Sequence, residues 1–195
     1  APGNPGTAEI AGNIEADVKD IYALLSIALK LRIDLTFVGP EIQLALGIVD
    51  LFKEHGLKII GPSKAAAQIE ASKSFAKNIM NLAGIPTASF EKFTSSEQAL
   101  NWGRNANYPL VVKADGLAAG KGVIIANDYL EYSNAIDITL RQLKFGQASA
   151  MILVEEYLLG TEVSVFGFVD GTNISRLTAA KDYKRAYDND VGPNT

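Results

Sequence analysis

Lys113-Ala114-Asp115-Gly116-Leu117-Ala118-Ala119-Gly120-Lys121-Gly122 is the stretch on which the reading of this chain turns. Before it stands Pro109-Leu110-Val111-Val112, and after it Val123-Ile124-Ile125-Ala126. Apolar, β-branched runs on both sides of a glycine-rich turn predict two strands joined as a hairpin. The glycines let a ligand approach the backbone closely. Lysines flank the loop, and exposed N–H groups in such a turn can cradle phosphate oxygens. The loop is not a Walker-type P-loop. Only three residues separate Gly116 from Gly120, Gly122 replaces the Ser or Thr that would hold a metal, and a strand follows instead of a helix. A flap that folds over phosphates is expected. Taken alone, the same residues also fit a mobile hairpin with a solubilising lysine.

Downstream, a helix is predicted over residues 129–143, then the strand Met151-Ile152-Leu153-Val154-Glu155-Glu156-Tyr157-Leu158. One helix and one strand separate the acidic pair from the glycine loop, so both can sit in one sheet. The backbone of such a segment can read an adenine edge, and a carboxylate can accept from ribose hydroxyls. An acidic pair at a strand end is equally a solvated terminus. Residues 162–169 alternate as a half-exposed strand, with Val163, Val165 and Gly167 on one face. Asp170-Gly171 signals a hairpin turn, with residues 174–180 as the returning partner. From Lys181 to Thr195, charges of both signs alternate around aromatics. Lys184 and Arg185 could clamp a phosphate or carboxylate. Asp182, Asp188 and Asp190 could hold an amine or a metal, and an exposed salt-bridged loop is the alternative.

Upstream, residues 17–31 read as a helix capped by Asp17, with Ile21, Leu24, Leu25, Ala28 and Leu29 at helical spacing. Ile33-Asp34-Leu35-Thr36-Phe37-Val38 reads as a buried strand ended by Gly39-Pro40-Glu41. A helix over 44–55 stops at Gly56, and Leu57-Lys58-Ile59-Ile60 is a short strand before Gly61-Pro62-Ser63. Alternating helices and strands imply a parallel sheet, with ligands at the carboxyl ends of its strands. A long helix is predicted from Ser63 to Gly84, with Ile69, Ala76, Ile79 and Met80 as its apolar stripe and Lys73 and Lys77 on one face. Ile85-Pro86 closes it. Thr94-Ser95-Ser96-Glu97 reads as a capping box for a short helix carrying Leu100 and Trp102. Gly3-Asn4-Pro5-Gly6-Thr7 reads as a turn.

Composition narrows the classes. The chain has 195 residues, 48% hydrophobic and 21% charged, which suits one or two globular α/β domains. Its 18 basic and 22 acidic residues give a net charge of −4, so no basic surface for nucleic acid is indicated. With no cysteine and His55 as the lone histidine, disulfides, thiolate metal sites and histidine clusters are excluded, while oxygen-ligated Mg²⁺ remains open. No apolar run approaches the roughly 20 residues that span a bilayer, and no signal peptide opens the chain. A cytoplasmic protein that binds small molecules, with no membrane partner, is expected, a monomer rather than an oligomer. Loop-forming residues at both ends, Ala1-Pro2-Gly3 and Gly192-Pro193-Asn194-Thr195, suggest a piece of a longer chain.

In order along the chain, Pro2-Gly3-Asn4-Pro5-Gly6-Thr7-Ala8, Val38-Gly39-Pro40-Glu41, Gly61-Pro62-Ser63-Lys64, Ser72-Lys73-Ser74-Phe75, Ile85-Pro86-Thr87-Ala88, the lysine-glycine loop, Glu155-Glu156-Tyr157-Leu158, Asp182-Tyr183-Lys184-Arg185 and Gly192-Pro193-Asn194-Thr195 resemble the glycinamide ribonucleotide synthetases (phosphoribosylamine–glycine ligases). These belong to the ATP-grasp superfamily. The resemblance covers nearly the whole chain, and the loop is its most specific motif.

The resemblance implies ATP-dependent ligation of glycine to 5-phosphoribosylamine through glycyl phosphate, in purine (IMP) biosynthesis, with Mg²⁺ or Mn²⁺. It implies an ATP-grasp fold with an N-terminal Rossmann-like domain and linker helix over 1–92, a small flap subdomain over 93–158, and the start of the large subdomain over 159–195. Carried over residue by residue, Lys73 and Lys113 meet ATP phosphates, and Gly116, Gly120, Lys121 and Gly122 form the flap. Glu155, Glu156 and Leu158 meet adenine, mostly through backbone, and Glu162 meets ribose. Asp182, Lys184 and Arg185 are implied as catalytic, with Pro193, Asn194 and Thr195 on the substrate side. Gly6, Thr7 and Glu41 line the phosphoribosylamine side. Tyr183 departs from the family, which has histidine there. The family's opening strand–loop before Ala1 and its continuation after Thr195 are missing. Metal ligands are therefore expected beyond Thr195, and the chain alone is expected to be inactive. Other ATP-grasp carboxylate–amine ligases or carboxylases, a non-catalytic nucleotide-binding piece, and a structural fragment remain as alternatives.

Overall fold

The computed structural model describes residues 1–194 apart from Ala119, Leu177, Lys184, Asn189 and Asp190; for Arg185 and residues 191–194 it describes the backbone alone. Two compact units result, Ala1–Tyr157 and Leu158–Thr195.

The first unit opens with α1 (Pro5–Ala8), one turn held by a capping box. The Asn4 side chain accepts from the Thr7 N–H at 2.9 Å, and the Thr7 hydroxyl oxygen accepts from the Asn4 N–H at 2.8 Å. Helix α2 (Ile21–Leu31) begins later than the periodicity suggests, because the carboxylate that accepts its first N–H groups, from Tyr22 and Ala23, belongs to Asp20 and not to Asp17. Strand β1 is only Thr36–Phe37. The expected buried strand over 33–38 is therefore corrected: Leu35 and Phe37 are exposed, since an apolar run does not itself say which residues are covered.

The helix expected over 44–55 is two helices, α3 (Glu41–Leu46) and α4 (Ile48–Glu54). Gly47, at φ 97°, takes the left-handed conformation that ends one helix before the next begins. Strand β2 (Ile59–Ile60) pairs parallel with β1, Thr36 opposite Ile59, as the alternation of elements predicts. Leu25, Ala28, Ile48, Val49 and Phe52 form the core between α2 and α4.

The long helix expected from Ser63 is also broken, into α5 (Gln68–Ala71) and α6 (Lys73–Leu82). Ser72 is extended (φ −136°, ψ 112°), and its hydroxyl accepts from the Phe75 N–H. Serine competes with the helix by capping a new one. The proposed stripe fails with it: Ile69 and Ile79 face solvent, and Ala76 is buried.

Strand β3 (Phe90–Phe93) enters a second sheet, followed by α7 (Ser96–Gly103), β4 (Leu110–Ala114), β5 (Val123–Ala126) and α8 (Tyr129–Ile136). The α7 cap is Ser95, which accepts from the Gln98 N–H, and not Thr94. The helix predicted to reach residue 143 widens after α8 into a π-helical turn, Asp137–Arg141, where the Thr139 hydroxyl donates to the Ala135 carbonyl. Strand β6 (Ile152–Glu156) completes the sheet, in the order β3-β6-β4-β5 with every pairing antiparallel.

Leu110 and Val112 of β4, Ala126 of β5, and Ile152 and Val154 of β6 face one way, onto Ala99 of α7 and Tyr132, Ala135 and Ile136 of α8. The Tyr132 hydroxyl donates to the Ala99 carbonyl at 2.9 Å. Gly103 lets α7 approach this ring: a β-carbon there would overlap it.

In the second unit, β7 (Gly167–Asp170) and β8 (Asn173–Arg176) form the predicted hairpin, with Asp170 opposite Asn173. The strand expected over 162–169 is shorter than predicted, and Ser164 instead makes an isolated bridge to Ala180. Strands β9 (Arg185–Tyr187) and β10 (Val191–Asn194) pair antiparallel.

Candidate functional site

Because strand side chains alternate, the sheet face opposite the helical core carries Val111 and Lys113 of β4, Val123 and Ile125 of β5, Leu153 and Glu155 of β6, and Phe90 of β3. On this face Lys113 Nζ lies 2.8 Å from Glu155 Oε2. The acidic strand end and the lysine-glycine hairpin are therefore adjacent in one sheet, as their spacing suggests. Glu155 is buried, 4% exposed, and a buried carboxylate requires charge pairing. Its second cation is Lys77, at 3.2 Å. The Lys77 ammonium also donates to Thr87 Oγ1 at 2.8 Å and to the Ala88 carbonyl at 3.0 Å, and lies over the Phe90 ring. Val123 and Ile125 stay partly exposed, leaving apolar surface beside the lysines.

The base of the glycine loop is tied to the start of α6. Asp115 Oδ1 accepts from the Ser74 N–H at 2.6 Å, and Oδ2 accepts from the Ser72 hydroxyl at 3.0 Å. The Asp115 N–H donates to the Met151 carbonyl, and its own carbonyl accepts from the Lys73 N–H. The Lys73 ammonium donates to the carbonyls of Ala114 at 2.8 Å and Gly116 at 3.1 Å. Desolvation lowers the Lys73 pKa below the ordinary lysine value; the nearby Asp115 charge opposes the shift, and that of Lys113 adds to it. Gly116 packs against Ala148, Gly122 packs between Ala114 and Ala118, and Gly120 adopts φ 75° at the exposed tip. Lys121 is exposed, and its N–H closes a turn onto the Ala118 carbonyl. Three ammonium groups (Lys73, Lys77, Lys113) thus gather beside the loop, Lys77 and Lys113 on the Glu155 carboxylate and Lys73 on backbone carbonyls with Asp115, Glu70 and Glu155 in its field. Such a place suits an anion with an apolar appendage.

The other expected residues lie elsewhere or outside the description. The Glu156 carboxylate accepts from the Ser89 N–H at 2.8 Å and so fixes the strand end. Leu158, Glu162 and Asp182 are exposed residues of the second unit. Tyr183 lies beneath the Lys181 ammonium. Lys184 and Thr195 lie outside the described residues, as do the side chains of Arg185, Pro193 and Asn194. Gly6 and Thr7 belong to α1, where the Thr7 hydroxyl also meets Asn13, and Glu41 opens α3. In the sequence Lys77 shares a face with Lys73 but carries no site role, and the Ser72–Ser74–Asp115 clasp is not foreseen. Lys77 one turn after Lys73, and a serine just before it, were the available signals.

A cavity of about 300 Å³ lies in the N-terminal part, lined by residues including Pro2, Leu24, Phe37, Pro40, Gln43 and Phe52. It holds none of Lys73, Lys113 or Glu155, and its lining is chiefly apolar, so it offers no counterpart to the charged face. Gln43 Nε2 donates to the Val18 carbonyl at 2.9 Å, while among the described residues its Oε1 has no partner.

Residues 1–70 match the phosphoribosylglycinamide synthetase N domain, and residues 71–195 its ATP-grasp (A) domain. The phosphoribosylamine–glycine ligase of Caldanaerobacter subterraneus is 47% identical over 195 residues, covering 100% of this chain and 47% of that protein. The enzyme of the same name from Halalkalibacterium halodurans is 48% identical, covering 100% of this chain and 46% of the relative. The chain thus spans about half the length of the curated relatives it matches. The crystal structure of phosphoribosylamine–glycine ligase from Thermotoga maritima superposes with TM-score 0.79 at 31% identity, covering 100% of this chain and 46% of that one. The biotin carboxylase domain of Hydrogenobacter thermophilus 2-oxoglutarate carboxylase shares the fold, with TM-score 0.70 at 20% identity, covering 91% of this chain and 41% of that one.

Proposed function

We infer, from a chain that belongs to the phosphoribosylglycinamide synthetase family and has its α/β, ATP-grasp fold, that the protein ligates glycine to 5-phosphoribosylamine at the expense of ATP. The products are glycinamide ribonucleotide, ADP and phosphate, a step of purine biosynthesis in the cytoplasm. The observation that carries the ATP half is the pair of lysines at the base of the glycine hairpin, Lys73 on the carbonyls of Ala114 and Gly116 and Lys113 on Glu155. The substrate half rests on relatives named phosphoribosylamine–glycine ligase that match along the entire chain.

A glycine carboxylate oxygen attacks the γ-phosphorus of ATP. The bond from that phosphorus to the bridging oxygen breaks, and ADP leaves with the electron pair. The phosphoribosylamine nitrogen then attacks the carbonyl carbon of glycyl phosphate and expels phosphate, the nitrogen losing a proton. A carboxylate is a poor electrophile, and phosphorylation supplies the leaving group. The chain's part is positioning and charge neutralisation. Lys73 and Lys113 offer ammonium groups to the phosphates, Val123 and Ile125 offer apolar surface to the base, and residues 155–158 offer backbone groups to its edge. Gly116, Gly120, Lys121 and Gly122 form the covering hairpin. Glu162 is assigned to ribose. Asp182, Lys184 and Arg185 are assigned to catalysis, Pro193, Asn194 and Thr195 to the substrate side, and Gly6, Thr7 and Glu41 to phosphoribosylamine.

Mg²⁺ or Mn²⁺ would screen the phosphate charge. Among the described residues no group of three or more His, Cys, Asp or Glu could hold a metal, so no ligand is assigned. Among the described residues, too, no helix is long and apolar enough to cross a membrane. The domain division at residues 92 and 158, and a monomeric state, belong to the same reading.

Phosphate release by the full chain tests it. Release that requires glycine and phosphoribosylamine together is expected; release driven by bicarbonate would replace this reading with a carboxylase.

A further inference from the structure

Lys77 is 7% exposed, and the nucleotide reading gives it no role. An ammonium is rarely buried without a specific partner, and Lys77 has a complete set: Thr87, the Ala88 carbonyl, Glu155 and the Phe90 ring. Lys113, which shares Glu155, is held differently. Its side chain is 27% exposed, against 9% for Lys77, and it donates to Glu155 Oε2. A buried carboxylate stripped of its cations is strongly disfavoured. If Lys113 were the sole cation of Glu155, any move towards another anion would strand that charge.

We propose that Lys77 is a positioning residue, the permanent counter-ion of Glu155, which keeps that carboxylate neutralised and so frees Lys113 to leave it for an incoming phosphate. The assignment rests on the nucleotide reading for what Lys113 moves towards, but not for its release. The four-carbon stem of Lys113 gives the reach; Lys77, enclosed by its partners, stays.

Amine acylation by a water-soluble succinimidyl acetate, read residue by residue by mass spectrometry on the folded full chain, tests the release directly. In Lys77→Met, Lys113 becomes the sole cation of a buried carboxylate, and its labelling slows roughly tenfold. Adding Glu155→Gln removes the need for that cation and restores at least the wild-type rate. Lys77→Arg, which keeps the charge, stays within about twofold of wild type. Lys113 labelling as fast in Lys77→Met as in wild type, or still slow in the double variant, overturns the assignment. Should Lys77→Met alone not fold, Glu155→Gln is compared with the double variant, which buries no unpaired ion. Both must label Lys113 equally and at least as fast as wild type, and any other order overturns the proposal. ATP is then added to wild type. Protection of Lys113 supports the nucleotide reading, whereas no protection together with the expected variant order contradicts that reading alone.

Discussion

The two faces of the four-stranded sheet are made from alternate residues of the same strands and have opposite chemistry. Leu110, Val112, Ile152 and Val154 sit under α7 and α8 with almost no exposure. One residue along, Lys113 and Glu155 form a charge pair on the other face, beside partly exposed Val123 and Ile125. The first face holds the sheet together, and the second is free to carry charge because the first suffices. Substitutions one residue apart should therefore separate folding from binding.

The largest effect is expected on the core face. Ile152→Ala should lower the unfolding free energy by about 2–5 kcal/mol, through lost burial and the cavity left behind. Chemical denaturation measures it, and nucleotide affinity at a temperature where the variant is folded should hardly change. On the charged face, Lys113→Ala should cost about 1.5–3 kcal/mol of ATP affinity by calorimetry, the range for a hydrogen bond to a charged group. It should leave stability almost intact, because Lys77 still neutralises Glu155. Equal heats for wild type and Lys113→Ala would remove the distinction between the faces.

The smallest effect belongs to Lys73, whose pKa is lowered chiefly by desolvation. Below its folded value Lys73 is protonated in both states. Between that value and the ordinary 10.5, the unfolded chain binds more protons than the folded one, so stability rises with pH. Melting temperatures of wild type and Lys73→Met, followed from neutral pH upward, should shift in favour of wild type across that window. A constant difference would mean that burial does not penalise the Lys73 charge.

Much of this was legible in the sequence. The β-branched runs around the glycine loop specified the hairpin, and the short spacing to Glu155 allowed one sheet to hold both. The parallel pairing of β1 and β2 followed from helix–strand alternation. Helix breaks at Gly47 and Ser72 were missed because apolar periodicity runs through them, whereas a left-handed glycine and a capping serine act locally. Lys77 was missed as part of the site because a lysine on a helix normally reads as solvated. Only the fold brings it over the Phe90 ring and against Glu155. The Asp115 clasp joins residues more than forty positions apart, a pairing that no local pattern encodes.

A crystal structure of the full chain with a non-hydrolysable ATP analogue addresses the central claim most directly. The account predicts phosphate oxygens about 3 Å from the ammonium groups of Lys73 and Lys113, the base beside the backbone of residues 155–158, and the Gly120 hairpin closed over the phosphates. An analogue bound away from this face, with Lys113 still on Glu155 and the hairpin turned to solvent, would contradict it.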